Sequence, residues 1–588
     1  MCRNCDLTTS IGPAQPPAVK PAAQPISGAD QHPETTTVLR GGAVYTLDAA
    51  RPWAQAVAVR GSRIIAVGSD DEVTSAAGAQ PRVVDLGGRM VLPGFVEAHI
   101  HPLIGGFFTS GVDLQVPTKA DALAAISTYA KAHPDGPVRG FGWRMDMFGA
   151  AGPHRDDLDA IVADRPALFF AIDGHSLWAN TAALRMAGIT RDTPDPAPGF
   201  SFYTRDAAGE PTGFVLEVAA LLPIADAVEP ITGELFGRLL AEWLPAAAAA
   251  GITAVFDAGM PPAGADPDAL AGVYTELESH GLLPLRVVVA HMVKGPPIDD
   301  AVAQTLEMAR RYDTELVRGG VLKIVGDGTV EGHTGYLLAP YTDRPDFVGQ
   351  SALSADDWRR LVAAADAAGI DVHIHAIGDA TVRAALDAVE AAIAANPPRD
   401  RRHAMAHLQI VDPADLSRFA ELGVIAQFSP NWAAVDPSLE TIRSRIGEQR
   451  CSRMYLLRDI LERGAAVTFG TDWPAAGWFS TYKPLDAIET AVTRRTLGEP
   501  DAPALEPQDQ CLDLAQALHA NTLAAARQLR LDDLVGSLEA GKRADLVVLE
   551  RNVFEIPSHR IAATGVDMTM MNGRFTHGDP FAGPPPNG

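Results

Sequence analysis

Eight short apolar segments, separated by helix-forming stretches, constrain what this chain can fold into more than any other feature. They are the strand closed by Ala98-His99-Ile100-His101, then Thr253 to Asp257, Leu285 to His291, Val321 to Val325, Asp371 to His375, His403 to His407, Val424 to Gln427 and Ala466 to Gly470. The gaps carry helix punctuation: Ser354 stands three residues before Asp357 with Gly369 closing the run, Pro413 follows Asp412, and Gly423 and Gly464 end further helices. Strand and helix alternating in this way predict a parallel (β/α)8 barrel of the TIM type over 93–532, with the active site at the C-terminal ends of the strands.

The stretch between the first strand and Thr253 is too long for one crossover, so about 103–250 is expected to be an insertion that leaves the barrel on its catalytic face and roofs the site. It has its own strand, Ala167 to Ile172, and a helix near Asn180 to Ala187. Before the barrel, Ala43 to Leu47, Ala56 to Arg60, Arg63 to Val67, Arg82 to Leu86 and Met90 to Leu92 read as short strands. After it, Val535 to Leu549 returns to β character. Segments 38–92 and 533–578 are therefore expected to form one small discontinuous β-sandwich domain. Residues 1–37, rich in Pro, Ala and Gln, and 579–588 read as flexible tails.

Histidines gather where such a barrel does its chemistry. In a strand, alternate side chains share a face, so His99 and His101 point the same way. A lone His-x-His is more often structural, but here metal-competent side chains end five of the eight strands: His99 and His101, Lys323, His375, His407 and, just past the last, Asp472. Imidazoles with a carboxylate suit Zn²⁺ or a neighbouring divalent ion. Lys323 lies inside an apolar strand, where an ammonium is costly. Either it pairs with Asp327 or Asp472, or its amine reacts with CO₂ to give a carbamate bridging two cations. His373 and His375 share a face. The strand-end position favours His375 as the ligand.

Composition narrows the partners. Lys+Arg 48 against Asp+Glu 73 gives a net charge of −25, which argues against nucleic acid or an anionic membrane. No apolar run reaches the ~18 residues of a membrane span, the N-terminus lacks the apolar stretch of a signal peptide, and four cysteines make no disulfide scaffold at 588 residues. The expectation is a cytoplasmic enzyme acting on a small molecule, with a homodimer as the base-rate oligomer. Cys2 and Cys5 form an isolated C-x-x-C, a weak metal signal. Trp143, Phe148, Trp178, Trp432, Trp473 and Trp478 fall in or beside loops expected on the catalytic face, where some of them, with His333, would contact substrate while the rest simply pack.

Taken together, Pro93-Gly94-Phe95-Val96-Glu97-Ala98-His99-Ile100-His101-Pro102, Asp173-Gly174-His175-Ser176-Leu177-Trp178-Ala179-Asn180, Lys323 with Gly326-Asp327-Gly328, His375-Ala376-Ile377-Gly378-Asp379, Ala406-His407, Gly470-Thr471-Asp472-Trp473-Pro474 and Gly536-Ser537 through Ala544-Asp545 resemble the amidohydrolase superfamily. Within it they resemble the family 3 branch that includes the N-substituted formamide deformylases. The resemblance runs from about Val38 to Gly573. It departs at Glu97, where relatives carry Asp, and at Glu331 to Gly335, where they often carry a Ser-Arg-Thr-Ala run.

The resemblance implies two divalent ions, one on His99, His101 and Asp472 and the other on His375 and His407, bridged by carboxylated Lys323. It also makes Asp472 the proton shuttle and His175 either the oxyanion donor or a turn-capping residue. The implied activity is hydrolysis of a non-peptide C–N bond: an N-acyl or N-formyl amide, or a carbamate. Cyclic-amide hydrolysis or a mononuclear deaminase is the alternative among enzymes, and a catalytically silent assembly or binding relative is the alternative outside them.

Overall fold

The computed structural model describes residues 35–149, 151–196, 198, 201–259, 269–476 and 478–582. The Pro-rich segment up to residue 34, with Cys2 and Cys5, and residues 583–588 lie outside them. The described chain divides into two compact units, Pro102–Leu240 with Trp473–Thr481, and 35–101 with Ala241–Asp472 and 482–582.

The larger unit contains an eight-stranded sheet of β1 (Phe95–Ile100), β2 (Ile252–Asp257), β3 (Arg286–Val293), β4 (Val317–Val325), β5 (Asp371–Ala376), β6 (Ala404–His407), β7 (Ile425–Phe428) and β8 (Val467–Phe469), paired in that order. Every neighbouring pair is parallel. Beyond β8, Asp472 N–H donates to His99 O at 2.9 Å and so brings the last strand end back to the first. A Cβ on Gly470 would meet the His99 backbone, so this closure needs glycine there. Each strand anticipated from its apolar pattern is present, with ends moved by at most a few residues. The helix over Ala355–Ala367 starts as its sequence dictates: Ser354 Oγ accepts from Asp357 N at 3.2 Å.

Both chain ends supply the remaining strands of this unit. Thr36–Arg40, Ala56–Arg60, Arg63–Gly68 and Arg82–Asp85 form one sheet. Ala43–Tyr45, Trp53–Ala54, Met90–Pro93, Leu546–Leu549, Val566–Met571 and Arg574–His577 form another, in which Leu546–Leu549 runs antiparallel to Met90–Pro93. Leu39, Val57 and Val84 of the first share an apolar cluster with Val91, Val548 and Met570 of the second. Two details differ from expectation. Thr36 and Thr37, assigned to the tail, open a strand paired with Arg60 and Val59, as β-branched residues favour. Asp70–Ala77 is a helix that the strand pattern hid, although Ser69 and Glu72 form a complete capping box.

A buried ion pair joins the terminal strands to the barrel. Arg286 on β3 donates to both carboxylate oxygens of Asp545, at 2.9 and 3.2 Å, and both side chains are almost fully buried. Deleting one partner strands the other charge in the interior, which typically costs about 3–5 kcal/mol. Asp545→Ala is therefore expected to lower stability by about that amount in denaturant unfolding, and a loss below about 1 kcal/mol would make the pair dispensable.

The smaller unit is a six-stranded sheet of Val112–Asp113, Val138–Trp143, Ala167–Ala171, Ser176–Ala179, Pro211–Leu216 and Phe202–Arg205 in that spatial order, with helices such as Lys119–Ala132 and Val218–Val228. Asn180 caps the helix Thr181–Met186, its Oδ1 accepting from Ala183 N at 2.8 Å.

Candidate metal centre

The C-terminal ends of β1, β4, β5, β6 and β8 converge, and with them most of the residues anticipated as ligands. Asp472 Oδ1 lies 3.1 Å from His99 Nε2 and 3.3 Å from His101 Nε2, while its Oδ2 is 3.9 Å from His407 Nδ1. Lys323 Nζ is 3.3 Å from His99 Nε2. Ligand atoms of His99, His407 and Asp472 lie within 4.8 Å of one another and all three residues are buried. His375 sits beside this group, its ring 4.5 Å from that of His407, with Nε2 3.3 Å from Gly328 O.

Neighbouring residues set which ring nitrogen is available. Gln427 on β7 donates its Nε2 to Phe428 O at 2.6 Å, which turns Oε1 toward His99 Nδ1 at 3.2 Å. His99 Nδ1–H then donates, and the Nε2 lone pair faces Asp472 and Lys323. His101 Nδ1 is 2.9 Å from Gly259 O, so its Nε2 is likewise the free nitrogen. A ligating histidine with its other N–H fixed on a carbonyl is the usual support for a metal. His407 Nδ1 is buried with no hydrogen-bond partner among the described residues. That orphaned acceptor, together with the imidazole and carboxylate donor set, fits a divalent cation.

Electrostatics agree with this. Burial first, then the Lys323 charge and the neighbouring His101 and His375, hold His99 well below its usual pKa; burial and His375 do the same for His407. Both are neutral, the ligating form. Burial pushes the Asp472 carboxyl up, but His407, His101 and Lys323 outweigh it and the net shift is downward. Burial lowers Lys323 to about 7 against the pull of Asp472. Backbone strain marks the same place: His407 and Asp472 have φ of 76° and 59°, a left-handed region that costs a non-glycine residue about 1–3 kcal/mol.

Several residues at this site hold roles that the sequence did not announce. Gln427 was read only as the end of a strand, although a glutamine closing an apolar strand was a signal. His373 is buried with Nε2 2.9 Å from His99 Nδ1, behind the ligand rather than beside His375. Glu97 accepts from Thr471 N at 2.7 Å and Thr471 Oγ1 at 2.8 Å, tying β1 to the residue before Asp472; burial raises its carboxyl to about 7. Asp327, offered as a partner for Lys323, instead accepts from Ile377 N, Gly378 N and Tyr336 N at 2.9–3.0 Å and shapes the turn after β5.

The expected substrate contacts separate. Trp432 stacks on His407, ring centroids 5.1 Å apart and nearly parallel at 9°. His333 is buried, its Nε2 2.9 Å from Asp343 Oδ2 and its ring 5.0 Å from Tyr341, so local packing accounts for it. In the smaller unit Trp143 donates to Phe169 O at 2.7 Å and Trp178 to His154 O at 2.9 Å; both are fully buried, Phe148 packs edge-on between them, and the ring of Trp473 fills the space that a Cβ at Gly105 would take. Trp478 lies under the Arg144 guanidinium at 3.7 Å. His175 follows a tight turn in which Asp173 Oδ1 accepts from His175 N at 2.7 Å, and its Nδ1 is 3.0 Å from Glu217 Oε2. Glu217, another residue missed from the sequence, adopts φ 67°.

A family model described as the amidohydrolase family matches residues 82–577. The chain belongs to that family. N-substituted formamide deformylase of Arthrobacter pascens is 30% identical over 558 residues, covering 90% of this chain and 96% of the relative. Protein LONG AFTER FAR-RED 3 of Arabidopsis thaliana is 29% identical and covers 90% of this chain and 89% of its own length. A solved structure of an uncharacterized metal-dependent hydrolase from Pyrococcus furiosus superposes with a TM-score of 0.68 at 25% identity, over 88% of this chain and 99% of the other. No helix among the described residues of this amidohydrolase is long and apolar enough to cross a membrane.

Proposed function

We propose that this amidohydrolase is a metal-dependent hydrolase of a non-peptide C–N bond, acting on an N-acyl or N-formyl amide or a carbamate. The observation that carries the reading is the convergence of His99, His101, Lys323, His407 and Asp472 within hydrogen-bonding or ion-pair range of one another at the strand ends. The names of the deformylase relative and of the Pyrococcus hydrolase point the same way. His99, His101 and Asp472 would hold one ion and His375 and His407 a second, with Zn²⁺ the best match to the donors. When bound, such ions activate water at neutral pH and polarise a carbonyl.

The chain's own residues supply the rest. With a pKa of about 7, much of the Lys323 amine is unprotonated at neutral pH; in this reading it would add CO₂ with loss of one proton, and the resulting carbamate would supply a further anionic ligand. Asp472, ionised and beside His99, takes the proton from the attacking water and delivers it to the leaving nitrogen, since an amine leaves poorly unless protonated. The test is amine release from a panel of N-formyl amides, N-acetyl amides and carbamates, before and after chelation. Activity on one of these classes, lost on chelation and restored by Zn²⁺, is expected; activity indifferent to chelator would overturn the reading.

A further inference from the structure

His101 follows β1 with its Nδ1 2.9 Å from Gly259 O, a backbone carbonyl in the turn beyond β2, and a buried aspartate holds that turn. β2 ends at Asp257, which is 2% exposed. Its Oδ1 accepts from Gly259 N at 3.1 Å, and its Oδ2 accepts from the Tyr274 hydroxyl at 2.7 Å. Tyr274 is fully buried on the helix Gly272–Ser279. Between Asp257 and Gly259, Ala258 N donates to Ile100 O at 3.0 Å, so the turn is tied to β1 as well.

The path of this turn is demanding. Gly259 has a φ of 91°, and a Cβ there would meet Ala290 O at 3.0 Å and Met292 Cβ at 3.2 Å, so only glycine fits against β3. A glycine's freedom leaves the direction of its carbonyl to whatever holds the turn, here β1 through Ala258 and Asp257 through Gly259 N–H. Burial raises the pKa of the Asp257 carboxyl against the pull of His101 and of its two hydrogen bonds. An apolar residue would close the strand without that cost. The support also falls where it is needed: the His99 side chain is 1% exposed with Nδ1 on Gln427, whereas that of His101 is 14% exposed and less confined by packing.

We propose that Asp257 and Tyr274 are positioning residues for His101, acting through the Gly259 carbonyl to keep the ring N–H at Nδ1 and the Nε2 lone pair turned toward Asp472. Neither is a ligand. A group behind a ligating histidine fixes its tautomer and ring direction, and losing such support typically costs about 10- to 100-fold in metal affinity. Here the carboxylate reaches the histidine through one intervening peptide, and the tyrosine hydroxyl holds the carboxylate in place. The proposal rests on the reading of His101 as a metal ligand and adds what keeps it in the ligating form.

The test reads two properties of the full-length protein. Long-range proton–nitrogen NMR on histidine-labelled, metal-free protein reports the His101 tautomer, its signal being the one missing from His101→Gln. Competition with a chelator reports Zn²⁺ affinity. Wild-type His101 is expected as the Nδ1–H tautomer. Asp257→Ala should mix the tautomers and weaken Zn²⁺ binding about 10- to 100-fold. Asp257→Asn, which keeps an acceptor for Gly259 N–H, should hold both readouts as in the wild type. Tyr274→Phe keeps the packing and removes one hydrogen bond, so both readouts should move the same way by less; it decides the matter if the alanine variant does not fold. Asp545→Ala, whose lost ion pair lies at the opposite end of β3, should change neither readout. An unchanged tautomer and affinity in Asp257→Ala and Tyr274→Phe, or an equal loss in Asp545→Ala, would overturn the proposal. A tautomer that shifts in a protein taking up no Zn²⁺ would sustain it and tell against the metal reading, whereas Zn²⁺ uptake with neither readout responding to Asp257 would do the reverse.

Discussion

Asp472→Asn is expected to leave the fold intact and to remove about 10²- to 10⁴-fold of the turnover, the range that a positioned acid–base group contributes. The reason lies in what the substitution keeps and what it deletes. The backbone at residue 472 is held in the left-handed region by Asp472 N–H on His99 O and by Glu97 on the preceding Thr471, contacts that the amide variant retains. Asparagine also tolerates that backbone well. What disappears is a carboxylate oxygen lying 3.1 Å from His99 Nε2 and 3.3 Å from His101 Nε2, the group able to take and return a proton. Thermal unfolding should be little changed while kcat collapses. Near-normal turnover would remove the aspartate from the mechanism.

Lys323→Ala is expected to abolish activity, with partial return when formate or acetate is added. The amine is buried, has no carboxylate within ion-pair distance among the described residues, and sits 3.3 Å from His99 Nε2. A structural lysine would be found paired; this one is held by burial at a pKa of about 7. Because the ammonium form cannot add CO₂, the wild-type protein should depend increasingly on added bicarbonate as the pH falls below about 7. Rescue of the alanine variant by primary amines in place of carboxylic acids would point to a catalytic ammonium.

The barrel was legible because its signal is redundant: eight buried strands that read as apolar runs, each followed by helix punctuation, leave few alternatives. The candidate centre was legible because period-two alternation places His99 and His101 on one face and because Lys323, His407 and Asp472 fall near, at or just past the C-terminal ends of their strands. What escaped was whatever depends on partners distant in sequence. Nothing near Gln427 announces that it would orient His99, 328 positions away, and nothing near Asp545 announces a buried partner in Arg286. His373 and His375 could be told apart only by depth, since the former lies behind His99 and the latter beside His407. The tryptophans show the same limit: loop position alone could not separate Trp432, stacked on His407, from Trp143 and Trp178, which the smaller unit buries completely.

The measurement that bears most directly on the account is metal content per chain by elemental analysis, on protein purified without chelator and in the presence of bicarbonate. About two divalent ions per chain, falling when Lys323 is replaced by alanine, is the predicted result. A chain that retains no divalent ion, and takes up none on dialysis against Zn²⁺, would contradict the assignment of His99, His101, His375, His407 and Asp472 as ligands.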